Sequence, residues 1–93
     1  MTQLLSDEDI AARLEGIAWE REGEEIVREW KFADFAAALA FVNRVGEAAE
    51  EANHHPDIYL HGWNKVRLSL TNHSAGGLTE ADFVAAARLD ELA

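Results

Sequence analysis

The chain has 93 residues, no cysteine, and 18 acidic against eight basic side chains, for a formal net charge of -10 at pH 7. That balance repels phosphate backbones and anionic lipid, and the missing thiols exclude disulfides, thiolate chemistry and zinc–cysteine sites. With 48 % apolar and 28 % charged residues, the composition is that of one soluble globular domain over residues 1–93.

The opening MTQLLSDEDI carries neither the basic residue nor the long apolar run of a signal peptide, and no later stretch is long enough to span a bilayer. A cytoplasmic protein that binds neither nucleic acid nor membrane is therefore expected. Ser6 ahead of DEDIAARL, with Asp9 three residues on and acid in the first turn, predicts a short helix that Gly16 ends. Ile17 and Trp19, then Ile26, Trp30 and Phe32, alternate around Glu22-Gly23-Glu24 and predict two strands and a turn, with Arg28 interrupting the apolar face. Asp34 caps a helix of roughly 18 residues in which Phe35, Leu39, Val42, Val45, Ala49 and Ala52 keep the spacing of a core-facing stripe. A second face with Ala37, Phe41 and Ala48 has two readings: a surface for another subunit, or alanines serving helix propensity.

Pro56 drives His55 out of helical angles, so this helix ends by about Asn53. DIYLHGW and KVRLSLT are the next strands; in the latter, Val66, Leu68 and Leu70 point one way and Arg67, Ser69 and Thr71 the other. Ser74 to Gly77 form a loop, and Thr79 opens a last helix with Asp82 at the reciprocal capping position. The order is α-β-β-α-β-β-α: an α+β fold with a four-stranded antiparallel sheet and helices packed on one face.

All four histidines fall between residues 54 and 73, and three of them, His54, His55 and His73, are the candidates for chemistry. Histidine gives and takes protons near neutral pH, although any one of these taken singly is more often an ordinary solvent-facing side chain than a catalytic one. An antiparallel pair after Pro56 carries the chain out and back, so His73 returns to the edge from which His54-His55-Pro56 departs, and the imidazoles are expected to converge on one pocket. The spacing does not match a helical pair of zinc ligands, and adjacent side chains such as His54 and His55 point apart, so no metal is expected. No nucleophile elbow surrounds Ser69 or Ser74, and Gly76-Gly77 lacks the lysine of a phosphate loop. Proton transfer without metal, cofactor or covalent intermediate remains. Around the histidines, Glu50 is either solvated or orients an imidazole, and Asp82 is either a helix cap or a carboxylate aimed at the pocket. Trp63 is either a core aromatic or a wall for a flat ring, and His61 is structural or solvent-facing.

Glu50, His54-His55-Pro56, Trp63, His73 and Asp82 stand in a register that resembles the pterin-4a-carbinolamine dehydratases. Asn64-Lys65-Val66, Thr71 to His73, Gly77-Leu78-Thr79, Trp19-Glu20 and Glu22-Gly23 extend the resemblance along the whole chain, most strongly over residues 50–82, with the longer form of the segment between Pro56 and Trp63. It implies a lyase that converts 4a-hydroxytetrahydropterin to quinonoid dihydropterin and water, in the recycling of tetrahydrobiopterin for aromatic amino acid hydroxylases. It also implies that His54 and His73 are the acid–base pair and that His55 contacts the pterin and holds its hydroxyl. Glu50 and Asp82 would orient histidines, Pro56 and Trp63 would border the pterin, and copies would assemble as homodimers through sheet edges or homotetramers through helices. The competing expectation on the same fold is a non-catalytic binding protein, similar to RuBisCO assembly factors or transcriptional dimerisation partners. The complete acid–base constellation favours the enzyme.

Overall fold

In the computed structural model, which describes residues 3–93, each predicted helix starts at the cap that the sequence offers. The Asp9 N–H donates to Ser6 Oγ at 3.1 Å and opens α1 (Asp7–Leu14). The Ala37 N–H donates to Asp34 Oδ1 at 2.8 Å and opens α2 (Phe35–Ala52). Thr79 precedes α3 (Glu80–Asp90). The strands are β1 (Glu20–Glu22), β2 (Glu25–Lys31), β3 (Asp57–His61) and β4 (Lys65–Leu70), paired antiparallel in the order β1-β2-β4-β3. The fold is thus α+β with the expected element order.

Ile26 pairs with Leu70, Trp30 with Val66, and Leu60 also with Val66, so these side chains share one face of the sheet. Ile10, Phe41, Val45 and Leu89 bring all three helices onto that face to form the core. Arg28, which interrupts the apolar pattern of β2, also faces inward. It is satisfied there: its guanidinium lies 4.5 Å over the Trp30 ring and donates to Asp90 Oδ1 at 2.8 Å. The opposite face is polar. Arg67 donates to Glu22 at 2.7 Å, and this hydrogen bond, followed by the charge of Glu22, raises the guanidinium pKa further above its ordinary value. No helix among the described residues is long and apolar enough to cross a membrane.

Three local expectations are corrected. Ile17 and Trp19 do not begin a strand: Gly16 turns the chain at φ 78°, Ile17 is left exposed, and β1 starts only at Glu20. Trp19 instead plugs the core, donating its indole N–H to Asp90 Oδ1 at 2.8 Å and meeting the Trp30 ring edge-on at 5.7 Å. The strand after Pro56 stops at His61, because Gly62 and Trp63 (φ 54° and 60°) form a tight left-handed turn. The third correction concerns α2, whose buried stripe is Ala38, Phe41, Val45, Ala48 and Ala49, while Phe35 and Leu39 are exposed. Two neighbouring stripes share the helical period, and the aromatics of the sheet choose between them: Trp30 and Phe32 meet the Phe41 ring at 4.9 and 5.1 Å.

Candidate functional site

The segment carrying His54 and His55 leaves α2 through a sharply defined stop. Asn53 adopts the left-handed conformation (φ 50°), which asparagine tolerates better than most residues. Its N–H donates to Glu50 O at 3.3 Å and the His54 N–H to Ala49 O at 3.1 Å, the paired bonds of a Schellman stop. Pro56 then prevents any return to helix before β3 begins at Asp57. The two imidazoles are thus launched from a fixed backbone.

The imidazole of His54 is mostly buried and its Nε2 lies 2.7 Å from Asp82 Oδ1. Asp82 is fully buried, and its other oxygen, Oδ2, accepts from the Thr79 N–H at 2.8 Å and the Thr79 hydroxyl at 3.3 Å. This carboxylate therefore caps α3 and also meets an imidazole, and it is not itself part of the groove lining. Opposite an ionised carboxylate, which only accepts, the Nε2 of His54 is the donor of this contact, and Nδ1 is the ring nitrogen left outside the pair. His55 Nε2 meets Glu50 Oε2 in a short contact, but both side chains are more than half exposed. Such a pair gives little fixed orientation in water.

His73 is exposed in the turn after β4. Asp57 pairs with Ser69, so the residues just before β3 and just after β4, His54, His55 and His73 among them, leave the sheet at the same end. An open groove of about 850 Å³ between α2 and α3 is lined by His54 and Pro56 but not by His55 or His73. Trp63 is 62 % exposed in the turn beyond His61, roughly 13 Å along β3 from Asp57 at about 3.3 Å per residue. It is neither a core residue nor a wall of the groove in the same chain. His61 sits on the outer face of the sheet, 2.5 Å from Glu29 and stacked on Tyr59 at 4.6 Å. Among the described residues no group of three His, Cys, Asp or Glu side chains is arranged to hold a metal ion.

The groove also brings in Glu51, Glu80 and Arg88, which the sequence pattern did not single out. Arg88 lies 3.5 Å from Glu51 on the other helix. Only the packing of α2 against α3 joins them, and no local spacing announces that.

Residues 3–92 match the model of the family described as Pterin 4 alpha carbinolamine dehydratase. A chain from Thermomicrobium roseum, whose name assigns it provisionally to the pterin-4-alpha-carbinolamine dehydratases, is 53 % identical over 90 residues and covers 96 % of both chains. A similarly named chain from Nocardia farcinica is 52 % identical, with 99 % of this chain and 97 % of that one covered. Among solved structures, one titled a transcriptional coactivator/pterin dehydratase from Brucella melitensis superposes with a TM-score of 0.90 at 30 % identity, over 98 % of this chain and 99 % of that one. A pterin dehydratase-like protein identified as a RuBisCO assembly factor in the alpha-carboxysome superposes with a TM-score of 0.69 at 28 % identity, over 83 % and 90 % of the two chains.

Proposed function

Because the chain belongs to the pterin 4 alpha carbinolamine dehydratase family, we propose that it dehydrates a 4a-hydroxytetrahydropterin to the quinonoid dihydropterin by histidine acid–base catalysis, as a lyase of tetrahydrobiopterin recycling. The C4a–O bond breaks as the leaving oxygen takes a proton and departs as water. The N5 proton passes to a base and the N5–C4a double bond forms, so atoms and charge balance. Each proton transfer by a positioned group contributes on the order of 10²–10⁴-fold. His54 and His73 are the acid–base pair, and His55 contacts the pterin and holds its hydroxyl. Asp82 orients His54, Glu50 orients His55 more loosely, and Pro56 borders the ring.

The observation that carries this reading is the buried Asp82–His54 pair: a carboxylate removed from water, with both oxygens used, fixes one imidazole where the groove ends. An exposed imidazole needs no such support. Phe35 and Leu39, exposed on α2, support assembly as a homodimer or homotetramer. A second reading, a non-catalytic assembly protein, draws on the likeness to the RuBisCO assembly factor. One assay separates them. Purified protein is expected to accelerate dehydration of 4a-hydroxytetrahydropterin and His73→Ala to lose on the order of a hundredfold; a wild-type rate equal to the uncatalysed one would leave the assembly reading standing.

A further inference from the structure

His54, His55 and His61 each have a carboxylate against the ring, in Asp82, Glu50 and Glu29. Among the described residues no hydrogen bond of that kind holds the ring of His73. Whatever fixes that imidazole must act through the backbone of its turn, and the turn is closed by one neighbour. The Asn72 N–H donates to Gly77 O at 3.0 Å, and Asn72 O accepts from the N–H groups of Gly76 and Gly77 at 2.9 and 3.2 Å. Asn72 Oδ1 accepts from the Ala75 N–H at 3.0 Å. Gly76, at φ 82°, supplies the left-handed residue that such a closure needs.

The closed turn is also seated on the β1–β2 hairpin. The Thr71 hydroxyl donates to Glu24 O at 2.6 Å, and a Cβ at Gly77 would meet the Glu24 carboxylate at 2.6 Å. The two ends of the turn are therefore fixed, and the remaining freedom lies in residues 73–75. The single side-chain bond across that stretch is the one from Ala75 to Asn72 Oδ1, a local cap of the kind short polar side chains make at the start of a turn.

We propose that Asn72 is the positioning residue of His73: its side-chain carbonyl holds residues 73–75 in the one turn that carries this histidine at the end of the sheet where His54 stands. The inference rests on His73 being the second acid–base group. Asn72→Ala removes the acceptor for Ala75 while keeping the main-chain bonds, and Asn72→Asp keeps an acceptor oxygen in the same place.

The test reads order and rate separately. Backbone ¹⁵N order parameters at residues 73–75 are expected near 0.85 in the wild type and in Asn72→Asp, and to fall toward about 0.6 in Asn72→Ala. In the dehydratase assay Asn72→Ala is expected to lose about tenfold in kcat with KM within about twofold, and Asn72→Asp to recover to within about threefold of wild type. Unchanged order in Asn72→Ala, loosened order with unchanged kcat, or an Asn72→Asp variant as slow as Asn72→Ala overturns the proposal. An inactive wild type instead sinks the dehydratase reading itself, and with it the task assigned to His73, a result that an active wild type with an indifferent Asn72 cannot be mistaken for.

Discussion

His54 and His55 are consecutive and each faces a carboxylate, and in the sequence only the family resemblance, not their residue type or spacing, assigns them different tasks. Folding separates them. His54 turns inward to Asp82, where one oxygen meets the imidazole and the other the start of α3, with the carboxylate fully buried and the imidazole mostly so. His55 turns outward to Glu50, and both partners remain in solvent. In the first pair, neither group can relax without unpairing a buried polar atom; in the second, water replaces either partner at little cost. The difference supports the proposed division of labour, in which one imidazole is held for proton transfer and the other is free to follow the substrate.

Removing a carboxylate from each pair is the sharpest way to break the comparison. Asp82→Ala strands the Thr79 N–H and the His54 ring, and is expected to lower unfolding stability by about 1–3 kcal/mol in denaturant titration. Glu50→Ala is expected to leave the unfolding midpoint unchanged, and an equal loss in both variants would mean that burial does not distinguish the pairs. Asp82→Asn keeps the shape and an acceptor for Thr79 but removes the charge facing the imidazole, and should slow dehydration roughly ten- to a hundredfold, by analogy with the loss of carboxylate partners of metal-bound histidines. The smallest effect is expected for Glu50→Gln, below about fivefold in rate and shrinking further as salt is raised. A salt-insensitive loss comparable to that of Asp82→Asn would place His55 on the same footing as His54.

The element order, the caps at Ser6 and Asp34 and the end of α2 were legible in the sequence because short-range chemistry decides them: a side-chain oxygen three residues from an N–H, or a proline that cannot continue a helix. The buried face of α2 was not. The stripes through Phe35 and Leu39 and through Phe41 and Ala48 are equally helical in period, and the choice lies with Trp30 and Phe32, distant in sequence. Trp19 was misread for a related reason, since its partner is Asp90 at the far end of the chain. In the site, Glu50, His54, His55 and Asp82 were visible as residue types. Which carboxylate serves which imidazole depends on how α3 docks beside the end of α2. Trp63 was expected at the pterin from the resemblance alone, and a two-residue left-handed turn puts it at the other end of β3 in this chain.

The rates of dehydration by His54→Ala and His55→Ala, measured side by side on the same pterin, test the central claim most directly. The buried pair predicts a loss of about 10²–10⁴-fold for His54→Ala and at most about tenfold for His55→Ala. Equal losses, or a larger loss at His55, would contradict it.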